Sequence, residues 1–266
     1  MAYREDEDLK FLSKLSDEEL SPLVDILIKD EKGEYRTTEE LTNSSSYKKY
    51  APQHHKYWKE IAAEIQLFGG NTIASLFRGG KGVLYREVLI DVANKLDVNF
   101  SKNASTERIE QNLLLKLFED LTEKISQEQL KELSKEFNLN LSTTITPAIF
   151  SSSLMGILAQ GGFRTYQLSS YISEILMKSM FGRSMVIGAS SATARILSIF
   201  TGPIGWSIMG SWTLFDIASP AFRVTVPAVV CVASLRTQRR LKEQEEKQIE
   251  KEKQIEKDES IVKLNM

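Results

Sequence analysis

The chain has few residues from which an active centre is usually built. Its 266 residues include one cysteine and two histidines. Cys231 has no second cysteine for an internal disulfide, which suits a reducing compartment. It lies in the apolar run Val229-Val230-Cys231-Val232, where a thiol reads as a small packed hydrophobe rather than a nucleophile. His54 and His55 are adjacent. Neighbours on a helix point about 100° apart, so the two do not chelate one metal. There is no H-E-x-x-H, and no local set of acid, base and nucleophile, so no cofactor, metal or catalytic residue is expected. Nor is there a dense Lys/Arg stripe, so no nucleic-acid partner is expected. Met1 to Lys14 is charged and has no apolar core, unlike a secretory signal. Together these absences point to a cytoplasmic protein or one at the inner face of the membrane.

Charge is also scarce in one long stretch. Between Pro147 and Leu235 the charged residues are Arg164, Glu174, Lys178, Arg183, Arg195, Asp216 and Arg223, and eight of the fourteen glycines fall there. Residues 1–145 carry 20 basic and 26 acidic groups, residues 146–235 carry 5 and 2, and the remainder 9 and 8. The basic segment is thus the apolar one, which suits an anionic membrane or an acidic partner. Overall, 42% hydrophobic and 26% charged residues argue for a sizeable core and against global disorder.

The periodicity is helical from the start. Leu9, Leu12 and Leu15 form a small apolar face, and Ser16 with Glu19 makes a capping box before Leu20, Leu23, Val24, Leu27 and Ile28. Pro22 either bends that helix or marks its start. A third helix is expected over residues 52–68, with Trp58, Ile61, Ile65 and Phe68 on one face and Gly69-Gly70 at its end. Residues 83–97 form another, lined by Leu84, Val88, Leu89, Val92 and Leu96. Ser105 caps the next, and Ser126 with Gln129 makes a second capping box. Four parts follow: a helical module at 1–46, a helical bundle at 47–145, the apolar region at 146–236 and a charged tail at 237–266. The fold class is all-α.

Arg78-Gly79-Gly80-Lys81-Gly82 invites a phosphate-loop reading, but a glycine follows Lys81 and no strand precedes the run. A turn between helices is the plainer reading. His54, Arg78, Lys81, Tyr85, Arg86 and Asp91 are expected on a polar surface of the central bundle.

Several segments carry a family pattern: Pro52-Gln53-His54-His55, Trp58, Ile61-Ala62, Phe68-Gly69-Gly70, Leu84-Tyr85-Arg86 and Asp91-Val92. So does Ala221-Phe222-Arg223-Val224-Thr225-Val226-Pro227-Ala228-Val229, followed by Leu235-Arg236. The chain resembles, over about residues 4–238, the uncharacterised bacterial YaaW family. Its N-terminal module resembles a small domain of unknown function, and its central segment more distantly resembles the ubiquinol–cytochrome c chaperone domain. The resemblance implies an all-α fold and a helper role rather than catalysis. It brings no site residues, and it does not carry over the client.

In the apolar region, Thr146-Pro147 starts a helix that runs to Gln160, and Gly161-Gly162 interrupts it. Further helices are expected over 163–181, 184–200 and 204–218, meeting through small side chains as helical hairpins. Ile196 to Phe215 is twenty residues without a charge, long enough to span a bilayer. Gly202-Pro203 divides it, which leaves a re-entrant or interfacial hairpin or a buried soluble one. Arg195, Asp216 and Arg223 bracket the apolar segments, and with Trp206 and Trp212 they are the expected docking residues. Val224–Val232 is β-branched, but a helix starting at Pro227 is preferred and continues into the tail. There Gln248-Ile249-Glu250-Lys251 recurs as Gln254-Ile255-Glu256-Lys257, with Glu–Lys pairs supporting a solvated helix.

The preferred function is a chaperone-like adaptor or assembly factor that binds a protein client and docks on a membrane through residues 146–236. One alternative is a membrane-inserting protein of stress or defence. The other is an enzyme whose site gathers distant residues, such as Asp91, Glu64 and His54. The sequence leaves the oligomeric state open.

Overall fold

The computed structural model describes residues 2–30, 33–70, 82–139, 145–181 and 222–264. Among these the chain is all-α, with one isolated antiparallel bridge between Lys29 and Tyr35. A 3-10 turn, Lys10–Lys14, leads to α1 (Asp17–Ile28), whose Ser16–Glu19 capping box is formed. Pro22 lies inside α1. A second 3-10 turn, Leu41–Asn43, precedes α2 (Ser45–Tyr50), which Ser44 caps through the Tyr47 N–H.

The helix expected from residue 52 begins later. A third 3-10 turn, His54–Tyr57, runs straight into α3 (Trp58–Gly70). Gln53, at φ −78° and ψ 73°, lies outside the helical region, so helical structure starts only after it. Next come α4 (Tyr85–Lys95), α5 (Thr106–Thr122) capped by Ser105, and α6 (Gln127–Glu136) with its Ser126–Gln129 capping box. α7 (Pro147–Gln160) starts as expected, with Pro147 in the first turn and the Thr146 hydroxyl accepting from the Ile149 N–H. Gly161 and Gly162 have φ of 72° and 79°, a backbone that glycine adopts without strain, and they turn the chain into α8 (Phe163–Phe181). The helices expected over 184–200 and 204–218, and the uncharged run Ile196 to Phe215, lie outside the described residues. No helix among the described residues is long and apolar enough to cross a membrane.

The centre of the fold is α9 (Phe222–Leu264), 43 residues and therefore about 65 Å long. It starts before Pro227, which lies within it. Its first part is buried on every side: Val224, Val226, Ala228 to Ala233 and Leu235 are each at most 2% exposed. A helix apolar all round belongs inside a core, and α9 packs against α8, α1, α5, α4 and α3. Burial thus overrides the strand propensity of its valines. Cys231 is one of these buried residues, and burial alone pushes its thiol far up. One continuous apolar core runs from Leu9 to Leu235. At its far end Phe118, Phe137, Phe150 and Tyr171 interlock with ring centroids 6.0–6.2 Å apart, tying α5 and the end of α6 to α7 and α8. From Glu245 to Ile255 every residue of α9 is exposed.

Candidate functional site

Three side chains from distant parts of the chain meet in the core. The Tyr85 hydroxyl donates to Glu110 Oε1 at 2.7 Å, and Arg236 Nε donates to Glu110 Oε2 at 2.7 Å. Glu110 comes from α5, Tyr85 from the first position of α4 and Arg236 from the end of the buried part of α9. The carboxylate is 2% exposed and the guanidinium side chain 12%. Burial raises the Glu110 carboxyl, although Arg236 and Tyr85 both favour its ionised form. Burial and the neighbouring carboxylate drive the Tyr85 hydroxyl well up. Arg236 lies over the Phe11 ring, 4.4 Å from its centroid, and 5.9 Å from that of Tyr85. Each Glu110 oxygen is thus held by a donor, so the arrangement works as a clamp.

The clamp extends to the N-terminal segment. Arg236 Nη2 donates to the Asp8 carbonyl at 2.6 Å. Asp6 Oδ2 accepts from the Tyr85 N–H at 2.7 Å and from Gln66 Nε2 at 3.2 Å. Gln66 also pairs with the Arg4 backbone, accepting at 3.0 Å and donating at 2.8 Å. The Thr106 hydroxyl donates to Asp8 Oδ2 at 2.8 Å and accepts from Arg86 Nη1 at 3.1 Å. Arg86 Nη2 further holds the Lys102 and Ala104 carbonyls before α5. Residues 4–11 are therefore fastened to α3, α4, α5 and α9 together.

An open cleft of about 790 Å³ lies beside this clamp. Tyr3, Phe11 and Trp58 give it aromatic walls, Tyr3 meeting Trp58 edge to face at 5.5 Å. Its cations are Lys10, Lys14, Lys59, Arg236, Arg239 and Arg240, against Glu5, Glu7 and Glu243. Lys10 is paired with Glu5 and Glu7, and Arg239 and Arg240 with Glu243.

Among the described residues, those expected to be functional do not gather in one place. Tyr85 and His54, expected on a polar surface, are buried, because each faces the core with its polar atom satisfied. His54 Nδ1 lies 2.5 Å from the Tyr57 hydroxyl, and burial lowers the imidazole. His55 instead binds Asp17 at the start of α1, through its N–H at 2.9 Å and Nδ1 at 2.7 Å. Asp91 is exposed on α4 and Arg223 exposed in the first turn of α9. Arg78, Lys81, Arg195, Trp206, Trp212 and Asp216 lie outside the described residues. Of Glu64, Asp91 and His54, the first and last are buried and Asp91 is exposed, and Glu64 Oε1 accepts from the Glu40 N–H at 3.0 Å. Among the described residues no three His, Cys, Asp or Glu side chains form a metal-binding group.

Sequence reasoning missed Glu110, Asp6, Asp8 and Gln66 as members of a site. A signal for Glu110 exists: it stands on the apolar stripe of α5, three and four residues before Leu113 and Leu114. Glu64 occupies the same kind of position in α3, between Ile61 and Phe68.

Comparison with known proteins fits this geometry. Residues 3–37, which supply the Asp6, Asp8 and Phe11 contacts, match a domain of unknown function, DUF3944. Residues 53–230 match the family described as Ubiquinol-cytochrome C chaperone. A UPF0174 protein of Helicobacter pylori strain J99 is 40% identical over 247 residues, 93% of this chain and 97% of that protein. A second from Helicobacter pylori, strain 26695, is 37% identical and covers 77% of this chain and 99% of its own length. The UPF0174 protein YaaW of Escherichia coli K12 is 32% identical, over 88% of this chain and 95% of its own. No solved structure matches the chain. The protein, an all-helical chain clamped around α9, belongs to the UPF0174 (YaaW) family and, over residues 53–230, to the ubiquinol-cytochrome C chaperone domain family.

Proposed function

We propose that this protein is a non-catalytic, chaperone-like adaptor that holds a protein client in the cytoplasm and rests against the inner face of the membrane through residues 146–236. The observation that carries the reading is the chaperone-family match across residues 53–230, which covers α3 to α8 and the buried start of α9. The polar centre supports it, since Glu110 has both oxygens committed to Tyr85 and Arg236 and acts as a fastening. Membrane contact draws its support from α7, where Ile149 and Met155 are 42% and 51% exposed. α7 carries no charged residue, so its exposed side suits contact with protein or lipid.

Deletion of the gene, combined with crosslinking in intact cells, tests the adaptor role. The expected result is a client whose folding or assembly falls when the protein is absent. Unchanged assembly of every crosslinked protein would contradict it. For membrane contact, the protein is expected to sediment with membranes and to leave them in carbonate. Recovery entirely in the supernatant before any wash would refute that part.

A further inference from the structure

The cleft beside Arg236 has features that the clamp does not explain. It is concave, about 790 Å³, within the roughly 300–1,000 Å³ of sites that enclose ligands. Six cations line it against three acids. Lys10, Arg239 and Arg240 are paired with those acids, and Arg236 with Glu110. Lys14 and Lys59 are exposed and form no ion pair among the described residues; the Lys59 ammonium stands 5.8 Å from the centroid of the Trp58 ring. Two lysines that form no ion pair among the described residues therefore line a cavity walled by Tyr3, Phe11 and Trp58. An excess of positive charge beside partly buried rings is the surface that a peptide with acidic and aromatic side chains complements. A lipid surface would meet a protruding face, whereas these groups line a hollow.

We propose that this cleft is the client-docking site, and that it takes an extended acidic segment with aromatic or large apolar side chains. The inference rests on the adaptor reading and adds to it the place and the chemistry of recognition. Carboxylates of the segment meet Lys14 and Lys59, and its apolar side chains lie against Trp58 and Phe11.

The test is fluorescence anisotropy on the full chain with a short labelled peptide of alternating Glu and Phe. Binding is expected, weakening as salt screens the exposed charges. The variant Lys14→Glu/Lys59→Glu is expected to weaken binding by about tenfold, replacing two exposed attractions with two repulsions. Both positions are exposed, so helical content is expected to stay as in the native chain, and Lys14→Gln/Lys59→Gln is expected to fall between the two. Equal affinity for a Lys–Phe peptide, or no response to the charge reversal, overturns the proposal. So does charge-sensitive binding to phosphatidylglycerol vesicles without binding to the peptide. In cells, a photo-crosslinker at position 14 or 59 is expected to capture the client, and one at Glu132 on α6 is not. Capture at 132 alone overturns the cleft and leaves the adaptor reading standing, whereas absence of any client removes both.

Discussion

Glu110 joins α4, α5 and α9 through its bonds to Tyr85 and Arg236. A buried carboxylate is costly unless paired, and removing one partner of a buried pair leaves the other charge stranded. Arg236→Met is therefore expected to lower unfolding free energy in urea by about 3–5 kcal/mol. Glu110→Met/Arg236→Met is expected to cost less than Arg236→Met alone, since no orphaned carboxylate remains. Glu64 and His54 contribute to the pH dependence with opposite signs. Glu64 is 1% exposed, its Oε2 has no hydrogen-bond partner among the described residues, and burial raises its carboxyl to about 7. Its stabilising contribution is complete below the ordinary carboxylate range and declines as pH rises toward 7, by at most about 3 kcal/mol. Glu64→Gln is expected to gain on the native chain as pH rises from 5 to 7, read by chemical denaturation at each pH. His54 is lowered by burial, so its contribution is present above its ordinary range near 6.5 and is lost as the pH falls.

Among the elements, α9 does two jobs along one axis. Its first part is the core of the bundle, and beyond Gln244 the residues described to Ile255 lie in solvent. Truncation after Gln244 is expected to change stability by no more than about 0.5 kcal/mol, as surface changes usually do. Gly82 gives a sharper element-level test. A Cβ there would lie 2.7 Å from the Gln66 Cβ and 2.8 Å from its carbonyl carbon, where α3 hands over to the approach to α4. Backbone cannot yield as a flexible side chain can, so Gly82→Ala is expected to cost about 1–3 kcal/mol in thermal or urea unfolding. Helix starts were readable from the sequence at Ser16, Ser105, Ser126 and Thr146 because a cap is a contact within three residues. The start of α9 was not, because its valines prefer strands in isolation and only burial on every side makes them helical.

At the scale of the whole molecule, the N-terminal segment is held where the bundle meets α9. The contacts that do this span 126 residues from Glu110 to Arg236 and 228 from Asp8 to Arg236. No local pattern encodes such a meeting, which is why Arg236 could be seen as part of a family motif but not as part of a site. The cleft shares this property, since its walls come from residues 3–14, α3 and α9. Residues 4–11 are fastened through Arg236, which holds the Asp8 carbonyl and lies over the Phe11 ring. Hydrogen exchange of the intact protein, read on the amides of that segment, tests this most directly. Slow exchange is expected in the native chain and much faster exchange in Arg236→Met, with α6 unaltered. Native-chain amides of residues 4–11 exchanging as freely as those of the exposed end of α9 would contradict it.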